Sequence, residues 1–354
     1  MILKGQVSAM ITENQVKNYL RSKDKDYVNK LIESLYEQDD DDIDHLIRHA
    51  LYVVQFISRR MEKIRTDIRD ICLDCHKSFS DRTNTLFYWS HFTLDQWFHF
   101  IELELYKMPL EGEAQVLGTS KTTCFYMRHK LYHAASEIMG HQKLSGEVEI
   151  DTQYKSINLK GTCPQNMPRY SKKRGKQAAY RGISHHKVAI VCATDENDHM
   201  MMQVSGLGSE SFDKYKANKD YFKDVEEFIS DSKASIQQFA NYLEAVNNKI
   251  KTSPLEKRYL TDDGKSSGAV NEMMTEVSSM IQTTRGVGTR CIQGYLDFLL
   301  LKKQAKYTFK RKEMASEILR MMMDTEAFSN EMVRATPMPI SLKEAYYAMG
   351  FFAE

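Results

Sequence analysis

Two aspartates far apart in the chain, Asp151 and Asp231, have the residue type and setting for metal-dependent chemistry. Asp151 sits in Gly146-Glu147-Val148-Glu149-Ile150-Asp151-Thr152-Gln153-Tyr154, where Val148 and Ile150 alternate with polar neighbours, the period of a half-buried strand. A carboxylate projecting from such a strand is costly unless a cation or partner meets it. Asp231 ends a second short apolar run, Val225 to Ser230. Either one alone reads as a turn or strand-end aspartate; the pair suggests a metal site assembled by the fold. Magnesium prefers oxygen ligands, keeps several waters, and is held by one or two carboxylates plus substrate phosphates. Two such ions about 3.5–4 Å apart activate a nucleophilic oxygen and stabilise the leaving oxygen of an in-line phosphoryl displacement. A third oxygen donor is expected from a helix beyond Asp231. Val270-Asn271-Glu272 opens that helix and Glu276 follows one turn later; periodicity leaves Asn271, Glu272 and Glu276 open.

The elements that must position these groups follow an α/β rhythm from residue 146 onward. Strands are predicted at 147–154, 187–194, 199–205 and 225–230, and helices near 211–223, 233–246, 270–284 and 289–306. Three strands, a helix, a fourth strand and further helices suit a ribonuclease H-like mixed sheet with flanking helices. Ahead of it, residues 12–70 carry apolar stripes at helical spacing. Leu94, Trp97, Phe98, Ile101 and Leu105 mark a helix stopped by Pro109. A short helix from Leu110 to Leu117 ends at Gly118, and Thr119-Ser120 caps a helix running from Lys121 to about Ser136. The pair reads as a helix-turn-helix whose second helix offers Lys121, Thr122, Arg128 and Lys130 to DNA phosphates and base edges. Residues 311–325 and 341–349 read as terminal helices. The predicted division is 1–70 helical, 71–92 around Cys72 and Cys75, 93–140 helix-turn-helix, 141–306 catalytic and 307–354 C-terminal helical.

A chain of 354 residues suggests two or three units. Its composition, 42% apolar and 27% charged, excludes general disorder. No apolar run reaches the length of a membrane span, and Met1 to Gly5 has no signal-peptide core, so no membrane role is expected. Scattered cysteines, apart from Cys72 and Cys75, point to a reducing cytosol rather than a disulfide framework. The net charge of +1 hides local asymmetry: Arg169 to Lys187 holds seven Lys/Arg and no acid, and Lys302 to Lys312 holds six. Lys172, Lys173, Arg174 and Arg181 of the first stretch are candidate phosphate contacts.

With these residues in view, the chain resembles the ISXO-like DDE transposases of bacterial insertion sequences over roughly residues 71 to 300. The resemblance rests on Cys72-Leu-Asp-Cys-His-Lys-Ser-Phe, Ser120-Lys-Thr-Thr-Cys-Phe-Tyr-Met-Arg-His-Lys-Leu and Gly146-Glu-Val-Glu-Ile-Asp-Thr-Gln-Tyr. It continues through Lys173-Arg-Gly, Arg181-Gly-Ile-Ser, Ile229-Ser-Asp, Val270-Asn271, Arg285-Gly-Val-Gly-Thr-Arg and Gly294-Tyr-Leu-Asp-Phe. The resemblance implies Asp151 and Asp231 as the first two catalytic metal ligands and places the third, variable one on Asn271. It implies Mg²⁺, with Mn²⁺ as a substitute, and roles in which Asp151 bridges two ions while Asp231 and Asn271 each hold one. It implies double-stranded DNA as partner, at element ends and target, and a homodimer or higher oligomer in the bacterial cytoplasm at the nucleoid. Two features depart from the pattern: Ser278 stands where relatives place a lysine, and Asp151 is followed by Thr152-Gln153. Relatives also carry a zinc ribbon with two Cys-x-x-Cys pairs, whereas here Cys72 and Cys75 stand alone, so an eroded ribbon with packed thiols is favoured over Zn²⁺. The departures motivate two alternatives, an inactive transposase-derived DNA-binding protein and a metal-dependent nuclease.

Overall fold

The computed structural model describes residues 70–71, 78–79, 82–159, 182–231, 233–253, 258–284, 286–308 and 311–342. Cys72, Cys75, Lys172, Lys173, Arg174, Arg181, the helices expected within 12–70 and most of that at 341–349 lie outside them. The chain divides into two compact units, residues 1–128 with 311–323 and residues 129–310 with 324–354.

The first unit holds a two-strand ladder, β1 (Asp70–Ile71) with β2 (Ser78–Phe79), then α1 (Leu94–Leu105), α2 (Leu110–Val116) and the start of α3 (Lys121–Met139). Much of α8 (Arg311–Asp324) belongs to it as well. Helix α1 begins with a capping box, in which Thr93 and Gln96 satisfy each other's backbone N–H groups. Its buried stripe is Leu94, Trp97, Phe100, Ile101 and Leu105; Phe100, not Phe98, completes it, one turn below Trp97. The helix ends before Pro109, because Lys107 takes a left-handed backbone (φ 57°). Gly118 (φ 63°) makes the turn into α3, a conformation that costs any residue with a Cβ, and Ser120 Oγ accepts the Thr123 N–H as helix cap at 3.0 Å.

The second unit is built on a five-stranded sheet. In chain order its strands are β3 (Leu144–Ser156), β4 (Lys187–Asp195), β5 (Met200–Leu207), β6 (Phe222–Ser230) and β7 (Val246–Lys249). Across the sheet they run β5-β4-β3-β6-β7. The first three form an antiparallel meander, and β6 and β7 join β3 in parallel. This mixed sheet, with a helix before β6 and another between β6 and β7, is the ribonuclease H-like arrangement expected from the strand order. Among the strands of this unit the sequence pattern missed β7 and a hairpin, β8 (Lys251–Ser253) with β9 (Arg258–Leu260); neither carries an apolar alternation.

One face of the sheet is covered by α4 (Phe212–Lys216) and α5 (Ala234–Tyr242). Val148 and Ile150 of β3 pack there with Phe228, Tyr215, Ile236 and Phe239, all fully buried. Ile236, Phe239 and Ala240 of α5 fall at helical spacing on the buried side. Burying each phenylalanine contributes roughly 2–3 kcal/mol. The other face is covered by α6 (Gly268–Thr283), against β3 and β4, and α7 (Ile292–Thr308), against β5. With both faces covered, β4 reads as a continuous apolar run, Val188 to Ala193, rather than an alternation. A short α9 (Asn330–Ala335), which the sequence pattern did not suggest, is the last described helix.

The outward face of β3 is a ladder of polar anchors. Glu147 pairs with Lys265 at 2.7 Å. Glu149 accepts the Val270 N–H at 3.0 Å and so caps the start of α6. Gln153 donates to the Met274 carbonyl, and Lys155 donates to Ser278 Oγ at 2.7 Å. Asp151 occupies the middle rung.

Candidate metal centre

Strand β3 pairs with β6 as far as Glu149 opposite Ile229. Beyond that point β6 ends, and Asp231 leaves its carboxyl end beside the part of β3 that carries Asp151. Crevices at the carboxyl ends of parallel strands are where open α/β sheets bind ligands. Asp151 thus stands within β3 and Asp231 just past the end of the neighbouring β6.

Both turn toward one cation. The Lys233 ammonium lies 2.7 Å from Asp231 Oδ2 and 3.5 Å from Asp151 Oδ1. It also lies 2.8 Å from Glu210 Oε1. Asp231 Oδ1 accepts the Lys233 backbone N–H at 3.3 Å, which fixes the turn into α5, and Asp151 Oδ1 accepts the Thr152 N–H at 2.7 Å. Burial raises the Asp151 pKa above the ordinary carboxylate value; Lys233 opposes the rise, and Asp231 and Glu210 add to it. Burial alone would lower the Lys233 pKa, but hydrogen bonds to Asp231 and Glu210 outweigh it and hold the ammonium firmly protonated.

Glu210 escaped the sequence reading because it lies in a loop, outside any periodic element, with no motif around it. The network that holds it is built into β3. Tyr215, fully buried, donates its hydroxyl to Glu210 Oε2 at 2.7 Å and meets Thr152 Oγ1 at 2.8 Å. The Glu210 N–H donates to the Tyr154 hydroxyl at 3.1 Å. Thr152 is the neighbour of Asp151, so one strand orients two of the three carboxylates.

The other expected ligands are not brought to this cluster. Asn271 on α6 is exposed and donates its amide to Ser267 Oγ at 3.0 Å, contacting neither aspartate. Glu272 and Glu276 turn to α7 and pair with Lys303 at 3.0 and 3.5 Å; the half-buried ladder between β3 and α6 leaves them on the far side of the helix. Ser278 receives Lys155 and Gln153 from β3.

Among the described residues, no group of three or more His, Cys, Asp or Glu side chains stands in a metal-holding arrangement. The carboxylates that converge are spaced around an ammonium. Three carboxylates share the one lysine at the open end of two parallel strands.

Two expected DNA contacts on α3 are corrected by their burial. Arg128 is buried, bonded to Glu104, to Glu113 at 2.6 Å and to the Met108 carbonyl at 3.0 Å. It braces α1, α2 and the link between them, because its fork satisfies three acceptors at once. Lys130 is also buried, and desolvation lowers its pKa. A helix with apolar residues on several sides hides some of its cations, and spacing alone does not say which. Lys121 and Thr122 remain exposed, Lys121 paired with Glu111 at 2.8 Å.

No family model matches the chain, and no curated protein matches it. Among solved structures, the chain is similar to the Mos1 strand transfer complex at 10% identity, covering 90% of this chain and 96% of that one, with a TM-score of 0.25. It is similar to the Drosophila P element transposase strand transfer complex at 9% identity, 76% and 70% coverage and a TM-score of 0.23. A Mos1 mariner paired end complex with Mn aligns at 11% identity, 88% and 95% coverage and a TM-score of 0.20. The ribonuclease H-like fold follows from the strand order and pairing. Among the described residues no helix is long and apolar enough to cross a membrane.

Proposed function

We propose that the chain is an insertion-sequence transposase of the ISXO-like DDE kind, which binds the terminal inverted repeats of its element and carries out metal-dependent DNA cleavage and strand transfer. The observation that carries this reading is the convergence of Asp151 and Asp231, on neighbouring parallel strands, upon a single cationic point at the strands' carboxyl ends. A divalent ion bound by these carboxylates would supply positive charge to the phosphoryl group as in-line displacement proceeds. The chain's own residues position that chemistry. Asp151 and Asp231 offer carboxylate oxygens, Thr152 fixes one Asp151 oxygen through its N–H, and Glu149 holds the start of α6 beside the site. Lys121 and Thr122 at the exposed start of α3, together with Lys172, Lys173, Arg174 and Arg181, supply DNA contacts in this reading. Processing two element ends together calls for a dimer or larger assembly.

One observation favours a second reading, an inactive transposase-derived DNA-binding protein: the Lys233 ammonium already occupies the point on which the carboxylates converge. Nicking and strand transfer on end-containing DNA, with Mg²⁺ or Mn²⁺, separates the two. Cleavage that vanishes in Asp151→Asn while DNA binding persists supports the transposase. Wild-type protein that binds the ends but never nicks them in either metal leaves the inactive form.

A further inference from the structure

We propose that Lys155 and Lys187, at the end of the sheet where β3 stops and β4 starts, form a phosphate-binding patch for the backbone of duplex DNA. This rests on the proposed reading of the chain as a transposase, and it gives that reading a DNA surface on the second unit. Three segments meet at this end of the sheet: residues 152–159 at the end of β3, 182–194 leading into β4, and 277–296 from the end of α6 into α7. Together they hold four Lys/Arg and no Asp or Glu. Backbone contacts tie them to one another. The Ile157 N–H donates to the His186 carbonyl at 3.0 Å, the Asn158 N–H to Thr289 Oγ1 at 2.9 Å, and the Thr289 N–H to the Asn158 carbonyl at 2.7 Å. The fold thus gathers cationic, acid-free stretches that a net charge of +1 conceals.

Both ammonium groups are held by serines rather than acids. Lys155 Nζ donates to Ser278 Oγ at 2.7 Å, and Lys187 Nζ donates to Ser156 Oγ at 3.1 Å. Ser278 Oγ gives its own proton to the Met274 carbonyl at 3.0 Å. Among the described residues neither ammonium pairs with a carboxylate. Lys233, Lys265 and Lys303 of the same unit, by contrast, each meet at least one. A lysine has three N–H donors, and one hydroxyl fills only one of them. Lys155 is also half-buried, where a cation without an anion is costly. Burial lowers its pKa; the Cys192 thiol opposes this and Lys187 adds to it. A phosphate oxygen would fill the open donors and offset the repulsion between the two lysines.

The patch adjoins the candidate centre. Lys155 lies on the outward face of β3, two rungs beyond Asp151, which is about 13 Å along an extended strand. Duplex DNA advances about 3.4 Å per nucleotide. A duplex lying along β3 with one phosphate at Asp151 therefore brings another, roughly four nucleotides away, to Lys155.

The test is binding of the full chain to a labelled duplex of arbitrary sequence, in EDTA, by fluorescence anisotropy over a range of salt. Each phosphate contact steepens the fall of log K with log salt by about 0.9, which at about 0.1 M salt is worth roughly eightfold in affinity. The double variant Lys155→Met, Lys187→Met should bind roughly sixtyfold more weakly at about 0.1 M, with a slope shallower by about 1.8. Lys251→Met, whose lysine is paired with Asp262 at 2.6 Å, should match wild type. A double variant that is weaker with an unchanged slope overturns the inference, because the lysines then act through packing. If wild type binds the duplex and the double variant binds equally well, this inference fails and the transposase reading stands. Wild type that binds no duplex at about 0.05 M salt, where phosphate contacts are strongest, defeats both. Should the double variant not fold, two single variants carry the test. Lys187→Met should lower the slope by about 0.9, and Lys155→Arg, which keeps the charge, should bind as wild type.

Discussion

Replacing Arg128 with alanine should unfold the helical unit more readily rather than weaken DNA binding directly. The guanidinium is 5% exposed and shared by Glu104 and Glu113, themselves buried at 4% and 0% exposure. Removing one partner of a buried ionic network leaves the others desolvated and uncompensated, at a cost of about 3–5 kcal/mol. For a domain of this size that corresponds to a melting point lower by roughly 6–20 °C. The chain's two tryptophans, Trp89 and Trp97, both lie in the unit that holds Arg128, so urea unfolding followed by tryptophan fluorescence reports on it selectively. The triple variant Arg128→Met, Glu104→Gln, Glu113→Gln should recover much of the loss, because neutral groups of similar volume replace the whole network. An Arg128→Ala protein with an unchanged urea midpoint but lost affinity for end-containing DNA would refute this reasoning and return Arg128 to the DNA interface.

Glu113 adds a pH signature to the same unit: burial, reinforced by Glu104 and opposed by Arg128, pushes its pKa up to about 9. A raised folded pKa means that its contribution to stability is complete below about pH 4.5 and is lost as pH climbs toward 9; Glu113→Gln should flatten that decline in a series of melting curves. Asp297 behaves likewise in the second unit, raised by burial to about 6 despite hydrogen bonds from Ser136 and Gln293. Its contribution should fade between pH 4 and 6, a change of about 3 kcal/mol that Asp297→Asn should remove from the pH dependence of urea unfolding. Asp151→Asn and Asp231→Asn should each slow Mg²⁺-dependent nicking at least about a hundredfold, roughly 2.7 kcal/mol of transition-state stabilisation, with DNA affinity retained; nicking near the wild-type rate in either variant would remove that aspartate from the site. Gly286→Ala should destabilise by about 1 kcal/mol or more, because its backbone is left-handed (φ 95°) and a Cβ would crowd the Asn158 side chain at 2.9 Å; equal thermal stability would show that the loop relaxes freely.

The sequence by itself determined the order of the main strands and helices, because alternation and helical spacing are local properties. Val148 and Ile150 mark β3, the unbroken run in β4 marks a strand covered on both faces, and the order of strands and helices leads to the mixed sheet. It also singled out Asp151 and Asp231, since a polar residue in or beside an apolar strand stands out against its neighbours. It did not determine which cations of α3 face water, because Arg128 and Lys130 differ from Lys121 only through the side chains that packing places around them. Nor could it find Glu210 or Lys233. Their meeting with Asp151 depends on β6 ending where β3 continues, and on a buried Tyr215 reaching from α4 to Thr152. Such contacts join residues tens of positions apart, so no periodic pattern records them; the tertiary structure alone brings those charges to one point.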